Sequence, residues 1–321
     1  IKQTIAAICK AQDNHIEQDE DYGLLSGYSG IALFYAYYYQ LTGKKKYRGQ
    51  VYEIVEKTLC GLANKPITLS HCSGISGIAW CIQHLMQQGF IGRNEVENIF
   101  EETDEALSAY MKYELKSNHY DFLHEGLGTM LYFSDKLPDT NAQAYLEEAV
   151  GYLEKAMDTN ANGRSWIDYS TLKNKTGRQS FAYNAGISHG VPAILSVLSI
   201  LYEKNIAREK VLPLIYDGTQ WLLNIKNKPS KKYISLYPTT ITNKYSSVQA
   251  KQSRLGWCYG DLSVAIAMHN IGTRLQNAEY LQEAYRLFDY TLSKRNLENG
   301  GIADASLCHG SMGVSHIYRR A

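Results

Sequence analysis

Two patterns in the sequence predict an all-α fold: an α/α toroid (double α-barrel) of six to seven helical hairpins with glycine-rich loops at the N-termini of the inner helices. The first is an internal repeat, the signature of an architecture that stacks one unit against the next. Six segments share one grammar of small or polar residues, glycines about three apart and then an apolar run. They recur about fifty to seventy residues apart, room for one helical hairpin each. The second pattern is that the helices before and after each motif differ in kind.

In chain order the motifs are Leu24-Leu25-Ser26-Gly27-Tyr28-Ser29-Gly30-Ile31, His71-Cys72-Ser73-Gly74-Ile75-Ser76-Gly77-Ile78 and Asp121-Phe122-Leu123-His124-Glu125-Gly126-Leu127-Gly128. Then follow Ile187-Ser188-His189-Gly190-Val191-Pro192-Ala193, Trp257-Cys258-Tyr259-Gly260-Asp261-Leu262-Ser263 and Cys308-His309-Gly310-Ser311-Met312-Gly313. Helices preceding a motif read as amphipathic. Val51, Ile54, Val55, Leu59 and Leu62 share one face, with Glu53, Glu56 and Lys57 opposite. Leu146, Ala149, Val150, Leu153 and Met157 repeat the pattern, as do Leu281, Ala284, Tyr285, Phe288 and Leu292. The runs following a motif, 31–38, 192–202 and 262–268, are apolar nearly all round, as buried helices are. Outer amphipathic and inner buried helices in alternation make two concentric rings, so all six motifs would line one mouth of the barrel. Pro192 suits this placement, because proline is tolerated in a first helical turn. Short strands are expected in the polar connections, such as Lys232-Tyr233-Ile234-Ser235-Leu236-Tyr237. Residues 1–321 read as a single domain.

A chain of 321 residues can bury a sizeable core. Its net charge of +1, with no basic cluster, gives no electrostatic reason to expect nucleic acid or an anionic membrane as partner. Six cysteines are too dilute for a disulfide scaffold and read as reduced thiols of a cytoplasmic protein. The longest apolar run, 190–202, is shorter than the roughly 18 to 20 residues of a membrane span. Twenty-six tyrosines, densest over 34–39, read as aromatic core and cavity lining with polar tips.

The chemistry concentrates late in the chain. Cys258, followed some fifty residues later by the adjacent pair Cys308-His309, supplies two thiolates and one imidazole. That set suits Zn²⁺, and three protein ligands leave the fourth tetrahedral position open, the mark of a catalytic site. Each ligand sits just before a glycine and a helix-like run, 261–271 or 311–318, where the positive end of the helix favours thiolate over thiol. Two buried apolar cysteines and a hydrogen-bonded turn histidine are the plainer alternative.

Ser253-Arg254-Leu255-Gly256-Trp257-Cys258-Tyr259-Gly260 and Cys308-His309-Gly310 resemble the Trp-Cys-Tyr-Gly and Cys-His-Gly motifs of the lanthionine synthetase C-like family, the cyclases of lanthipeptide biosynthesis and their relatives. The resemblance runs through most of the chain. It implies a double α-barrel with Cys258, Cys308 and His309 as zinc ligands. Ser188-His189-Gly190 is similar to the family's catalytic histidine motif, and Tyr120-Asp121-Phe122-Leu123 to the segment bearing its essential aspartate. Arg254 matches an arginine lining the active site, and Tyr259 the tyrosine beside the zinc cysteine. The implied partner is a dehydrated precursor peptide carrying cysteines, with a dehydratase acting before the cyclase. The family usually has seven inner helices, whereas six motifs occur here. Either the C-terminal hairpin is missing from the sequence or the barrel closes differently. No inserted domain for a substrate peptide is evident.

Addition of a cysteine sulfur to the β-carbon of dehydroalanine or dehydrobutyrine makes an enolate that must be protonated at Cα. His189 is the candidate acid, with Asp121 to orient and charge it, and Arg254 the candidate partner of the developing oxyanion. A bare reading of the residues leaves alternatives open: His189 as a helix cap, Asp121 as an N-cap, and His71-Cys72 as barrel lining. Glu125 and His124 beside Asp121 would offer a glycosidase its carboxylate pair. A non-catalytic zinc-containing relative that binds peptides or thiols is the reading from a different class.

Overall fold

Each of the six glycine motifs opens a helix. The computed structural model describes residues 2–18, 20–64, 66–92, 101–169, 182–230, 233–241 and 252–321. Among these the helices are α1 (Lys2–Gln18), α2 (Tyr28–Thr42), α3 (Lys45–Leu62), α4 (Ile75–Gln87), α5 (Glu101–Lys116), α6 (Gly126–Lys136), α7 (Thr140–Ala156), α8 (Val191–Glu203), α9 (Arg208–Asn224), α10 (Asp261–Leu275), α11 (Ala278–Lys294) and α12 (Ser311–Arg320). The even-numbered helices are the ones the motifs lead into. The odd-numbered ones precede or separate the motifs. The last motif's helix departs from the expected buried type: of its side chains only Val314 and Ile317 are buried, and Met312 is exposed.

Backbone packing explains the repeated glycines. A Cβ on the second glycine of a motif would lie 2.4 Å from the Leu24 carbonyl oxygen at Gly30, 1.8 Å from that of His71 at Gly77, and 1.8 Å from that of Leu307 at Gly313. No side chain fits there. The first glycine has a second consequence. Asp139 and Asn277 cap α7 and α11 with their side chains, whereas Gly27, Gly74, Gly190, Gly260 and Gly310 sit at the N-caps of α2, α4, α8, α10 and α12 and cap nothing. Carbonyls of the preceding loop take the first amides instead, Asp21 that of Tyr28 at 2.8 Å, Thr68 that of Ile75 and Asp304 that of Ser311, both at 2.9 Å.

The chain forms two compact units, residues 1–110 with 131–137 and residues 111–130 with 138–321. In the first, the core is Tyr28, Ile31 and Tyr35 of α2, Val51, Ile54 and Val55 of α3, and Ile78, Ile82 and Leu85 of α4. Tyrosines serve here as expected, burying their rings and placing their hydroxyls. Tyr28 donates to the Ile16 carbonyl at 2.7 Å and Tyr35 to Asp13 Oδ1 at 2.6 Å. Tyr37 is exposed, its hydroxyl 2.7 Å from His84 Nε2.

In the second unit α8 is buried on nearly every side and packs against α9 and α10, while α10 packs on α11. The expected stripe on α7 is buried at Leu146, Ala149, Val150 and Leu153. On α11 the expected stripe is only half right. Ala284 and Phe288 are buried but Tyr285 and Leu292 are exposed, and the helix buries Glu283 and Thr291 instead. Both polar residues have partners: Glu283 pairs with Lys226 Nζ at 2.5 Å and Thr291 Oγ1 accepts from Tyr318 Oη at 2.8 Å. They share the buried face with Tyr280, Ala284, Leu287 and Phe288, and their partners satisfy them there.

The strand expected over 232–237 is absent from its described part, 233–237. Its amides bond side chains instead, with Leu236 and Tyr237 N–H donating to Asp261 Oδ1 at 2.8 and 2.9 Å. The strands that do occur are β1 (Met157–Asn160) antiparallel to β2 (Gly163–Trp166), and β3 (Tyr183–Asn184) antiparallel to β4 (Thr240–Ile241). All six cysteines are free thiols. No described helix is long and apolar enough to cross a membrane.

Candidate active site

Four of the glycine loops in the second unit meet. Cys258, Cys308 and His309 each offer one donor atom, and those atoms lie within 4.8 Å of one another. Backbone bonds fix the approach: Trp257 N–H donates to the Cys308 carbonyl at 2.8 Å and Leu255 N–H to the Gly300 carbonyl at 2.7 Å. A Cβ at Gly256 would stand 3.0 Å from the His309 Cα, so only glycine lets the two loops close this far. Gly260, at φ +83, turns the chain from Cys258 into α10 through the left-handed region. His309 Nε2 faces Asp304 Oδ2 at 3.5 Å, so Nδ1 is the nitrogen that could face a metal, with a carboxylate behind the ring as ligating histidines usually have.

The donor set fits zinc by its chemistry. The thiols share a hydrogen bond, which, with the nearby His309 and Arg254 outweighing burial, pushes Cys258 down to about 6 while the Cys308 proton is held more tightly. The pair therefore gives up one proton readily and the second reluctantly, and a cation between two thiols is what removes the second. Arg254 is exposed and makes no ion pair among the described residues.

The loop before α8 joins the same place. Ser188 Oγ donates to the Cys258 carbonyl at 3.2 Å, and Ile187 N–H to Ser263 Oγ at 2.7 Å. A Cβ at Gly186 would lie 2.4 Å from the Cys258 carbonyl oxygen. His189 is thereby set beside Tyr259, with ring centroids 5.8 Å apart. Its Nδ1 meets Asp121 Oδ2 at 2.6 Å. Burial pulls the His189 imidazole down, but the hydrogen bond and charge of Asp121, with Cys258 and Asp168, outweigh it and raise it above its ordinary value.

Asp121 divides its two carboxylate oxygens. Its Oδ1 accepts the Leu123 and His124 N–H groups at 2.8 and 3.0 Å, as a capping aspartate does, while Oδ2 holds His189. Glu125 turns back and accepts the Asp121 N–H at 2.9 Å. His71 and Cys72 lie in the other unit; His71 is buried and pushed down to about 4 by desolvation.

Several supporting residues escaped the sequence. Asn184 Oδ1 accepts the Gly186 N–H at 3.0 Å and its Nδ2 donates to Tyr259 Oη at 3.4 Å. Asp261 and Arg295 form an ion pair of 2.8 Å with both side chains at 0% exposure, and Arg295 Nη2 donates to the Ser253 carbonyl at 2.7 Å. That pair anchors the loop of Arg254 and Cys258 to the end of α11. The acid directly after Gly260 was its only local signal.

The sequence matches the family described as Lanthionine synthetase C-like protein over residues 18–321. No curated protein matches the chain. Among solved structures, a nisin cyclase is similar at a TM-score of 0.80 and 18% identity, covering 99% of this chain and 81% of that one. This likeness shows the fold, the all-α toroid class expected above. An inactive variant of an alpha-1,6-mannanase of Salegentibacter sp. HEL1_6, with alpha-1,6-mannotetrose bound, reaches a TM-score of only 0.44 at 11% identity, over 88% of this chain and 79% of that one, too low to carry an argument. With its family motifs gathered at one place and the match spanning nearly its whole length, the chain belongs to the lanthionine synthetase C-like family.

Proposed function

We propose that the protein is a zinc-dependent cyclase that forms thioether rings by adding a cysteine thiol of a precursor peptide to a dehydroalanine or dehydrobutyrine in the same peptide. The observation that carries this reading is the convergence of a Cys258–Cys308–His309 donor set with a carboxylate-held, half-buried imidazole. A zinc ion held by Cys258, Cys308 and His309 would supply the charge that keeps a substrate sulfur as thiolate at neutral pH.

The remaining steps belong to the chain's own residues. As the sulfur adds to the β-carbon, electrons move onto the neighbouring carbonyl, and the exposed Arg254 guanidinium is free to approach that oxyanion. His189 gives its proton to Cα. Asp121 holds the opposite ring nitrogen and keeps the imidazole charged until that moment. Tyr259, beside the His189 ring, narrows the space around the acid. The proton released by the thiol balances the one placed on Cα, so the reaction is an isomerisation. The substrate itself must come from a dehydrating enzyme.

The test is incubation of a dehydroalanine- and cysteine-containing peptide with the protein, followed by alkylation and mass measurement. The peptide loses its alkylatable thiol at unchanged mass, faster than in a control without protein. Thiol loss equal to that control across several leader-bearing peptides sinks the proposal and favours a binding role.

A further inference from the structure

Two more groups of metal-ligating side chains converge among the described residues: Asp121 with His124 and His189, and Glu114 with His119 and Glu125. The second group is engaged internally, His119 Nδ1 pairing with Glu114 Oε2 at 2.8 Å and Glu125 taking the Asp121 N–H. The first is open to solvent through His124, which is exposed. The Asp121 turn places it: Oδ1 takes the His124 N–H at 3.0 Å and sets its ring parallel to that of His189, with centroids 5.8 Å apart and planes 9° apart.

We propose that Asp121, His124 and His189 form a second, weaker site for a borderline divalent transition cation such as Zn²⁺ or Co²⁺, separate from the cysteine set, and that filling it switches the enzyme off. Two imidazoles and one carboxylate with open positions are a donor set for such ions. The three donor atoms lie within 4.8 Å of one another. Around a metal with bonds of about 2.1 Å, donors stand roughly 3 to 3.5 Å apart. His189 and Asp121 part from their 2.6 Å contact and the exposed His124 side chain shifts to cover the difference. The Asp168 carboxylate, which acts on His189, favours a cation there. The incoming ion takes the place of the proton shared by His189 and Asp121, so no acid remains for Cα. This consequence rests on the proposed cyclase reaction, whereas occupancy of the site does not.

Co²⁺ added to the zinc-loaded protein tests both. One further equivalent binds to the wild type with weak visible absorption and no intense near-ultraviolet thiolate band, and none binds to His124→Ala or His124→Gln. No binding by the wild type at millimolar Co²⁺, equal binding by the His124 variants, or a thiolate band as the sole change overturns the site. In the cyclisation assay, saturating Zn²⁺ slows the wild type at least tenfold and leaves the His124 variants insensitive; a wild type that is active and binds the extra ion without slowing overturns the switch. A wild type that binds the extra Co²⁺ yet never consumes thiol sinks the cyclase reading and leaves the site standing.

Discussion

The loops before α2 and α4 in the first unit and those before α10 and α12 in the second share one backbone design. Leu24 N–H donates to the Cys72 carbonyl at 2.9 Å, as Trp257 N–H does to that of Cys308 at 2.8 Å. Ile75 N–H bonds the Thr68 carbonyl and Ser311 N–H the Asp304 carbonyl, both at 2.9 Å. A Cβ at Gly23 would press on Ser73 Cα as one at Gly256 would on His309 Cα. By this register Leu25, Cys72 and Ser73 stand where Cys258, Cys308 and His309 stand, with Asp21 in place of Arg254. Glycines and carbonyls build the loop pair; three side chains decide whether it can hold a metal. Of His71 and Cys72, only the cysteine stands at a position equivalent to one of the three candidate ligands.

The largest effect expected from this comparison is on metal. Purified wild type should carry one zinc, Cys308→Ala should lose zinc and cyclisation together, and Cys72→Ala should keep both. Elemental analysis of the three proteins decides, and zinc retained in Cys308→Ala would break the comparison.

Next comes the acid, which has no counterpart in the first unit. His189→Asn should slow cyclisation by about 10² to 10⁴ with zinc content unchanged, the usual worth of a positioned acid. An acid whose pKa is raised in the fold works below that value, and activity falls as pH climbs through it. Asp121→Asn removes the hydrogen bond and charge that do the raising, so the alkaline limb of the pH–rate profile should move to lower pH. A limb that stays in place would assign the proton to another group.

Which parts were legible in the sequence follows the same division. Glycine spacing and apolar runs announced the even-numbered helices because close backbone contact and burial leave a composition signal. Cys258, Cys308 and His309 stood out as candidates because rare residue types stood in motifs, and His189 and Asp121 because their motifs resemble the family's; the structure brings the first three together and pairs the last two. The true face of α11 was not, since Glu283 and Thr291 are buried by partners, Lys226 and Tyr318, far away in sequence. Arg295 and Asn184 were hidden for the same reason: nothing local marks a side chain whose role is to hold another loop.

A smaller effect separates the two loop pairs by pH. Burial pushes His71 from 6.5 down to about 4, so as pH falls the unfolded chain takes the proton first. The stability given by the neutral imidazole is whole above pH 6.5 and is lost as pH falls through about 4, a change of up to about 3 kcal/mol. Denaturant unfolding at pH 7 and pH 4 should show a smaller loss for His71→Gln than for the wild type, with zinc content at neutral pH unaltered. Equal losses would mean that His71 is hydrated in the fold.

The smallest expected effect is also the most direct test of the shared design. Leu25→Cys with Ser73→His, beside the native Cys72, completes two thiols and one imidazole on a backbone of the same register, and one extra zinc should bind. It should bind more weakly than at Cys308, for two reasons. Asp21 stands where Arg254 helps draw protons from the thiols, and Thr68 stands where Asp304 backs His309. A carboxylate behind a ligating histidine is typically worth about ten- to a hundredfold in metal affinity. Adding Thr68→Asp should therefore tighten the new site by roughly tenfold or more. Competition with a chelator reads both variants against the wild type. If neither holds more than the native single zinc, the two loop pairs share hydrogen bonds but not side-chain directions, and metal binding in the second unit needs more than three residues on a common backbone.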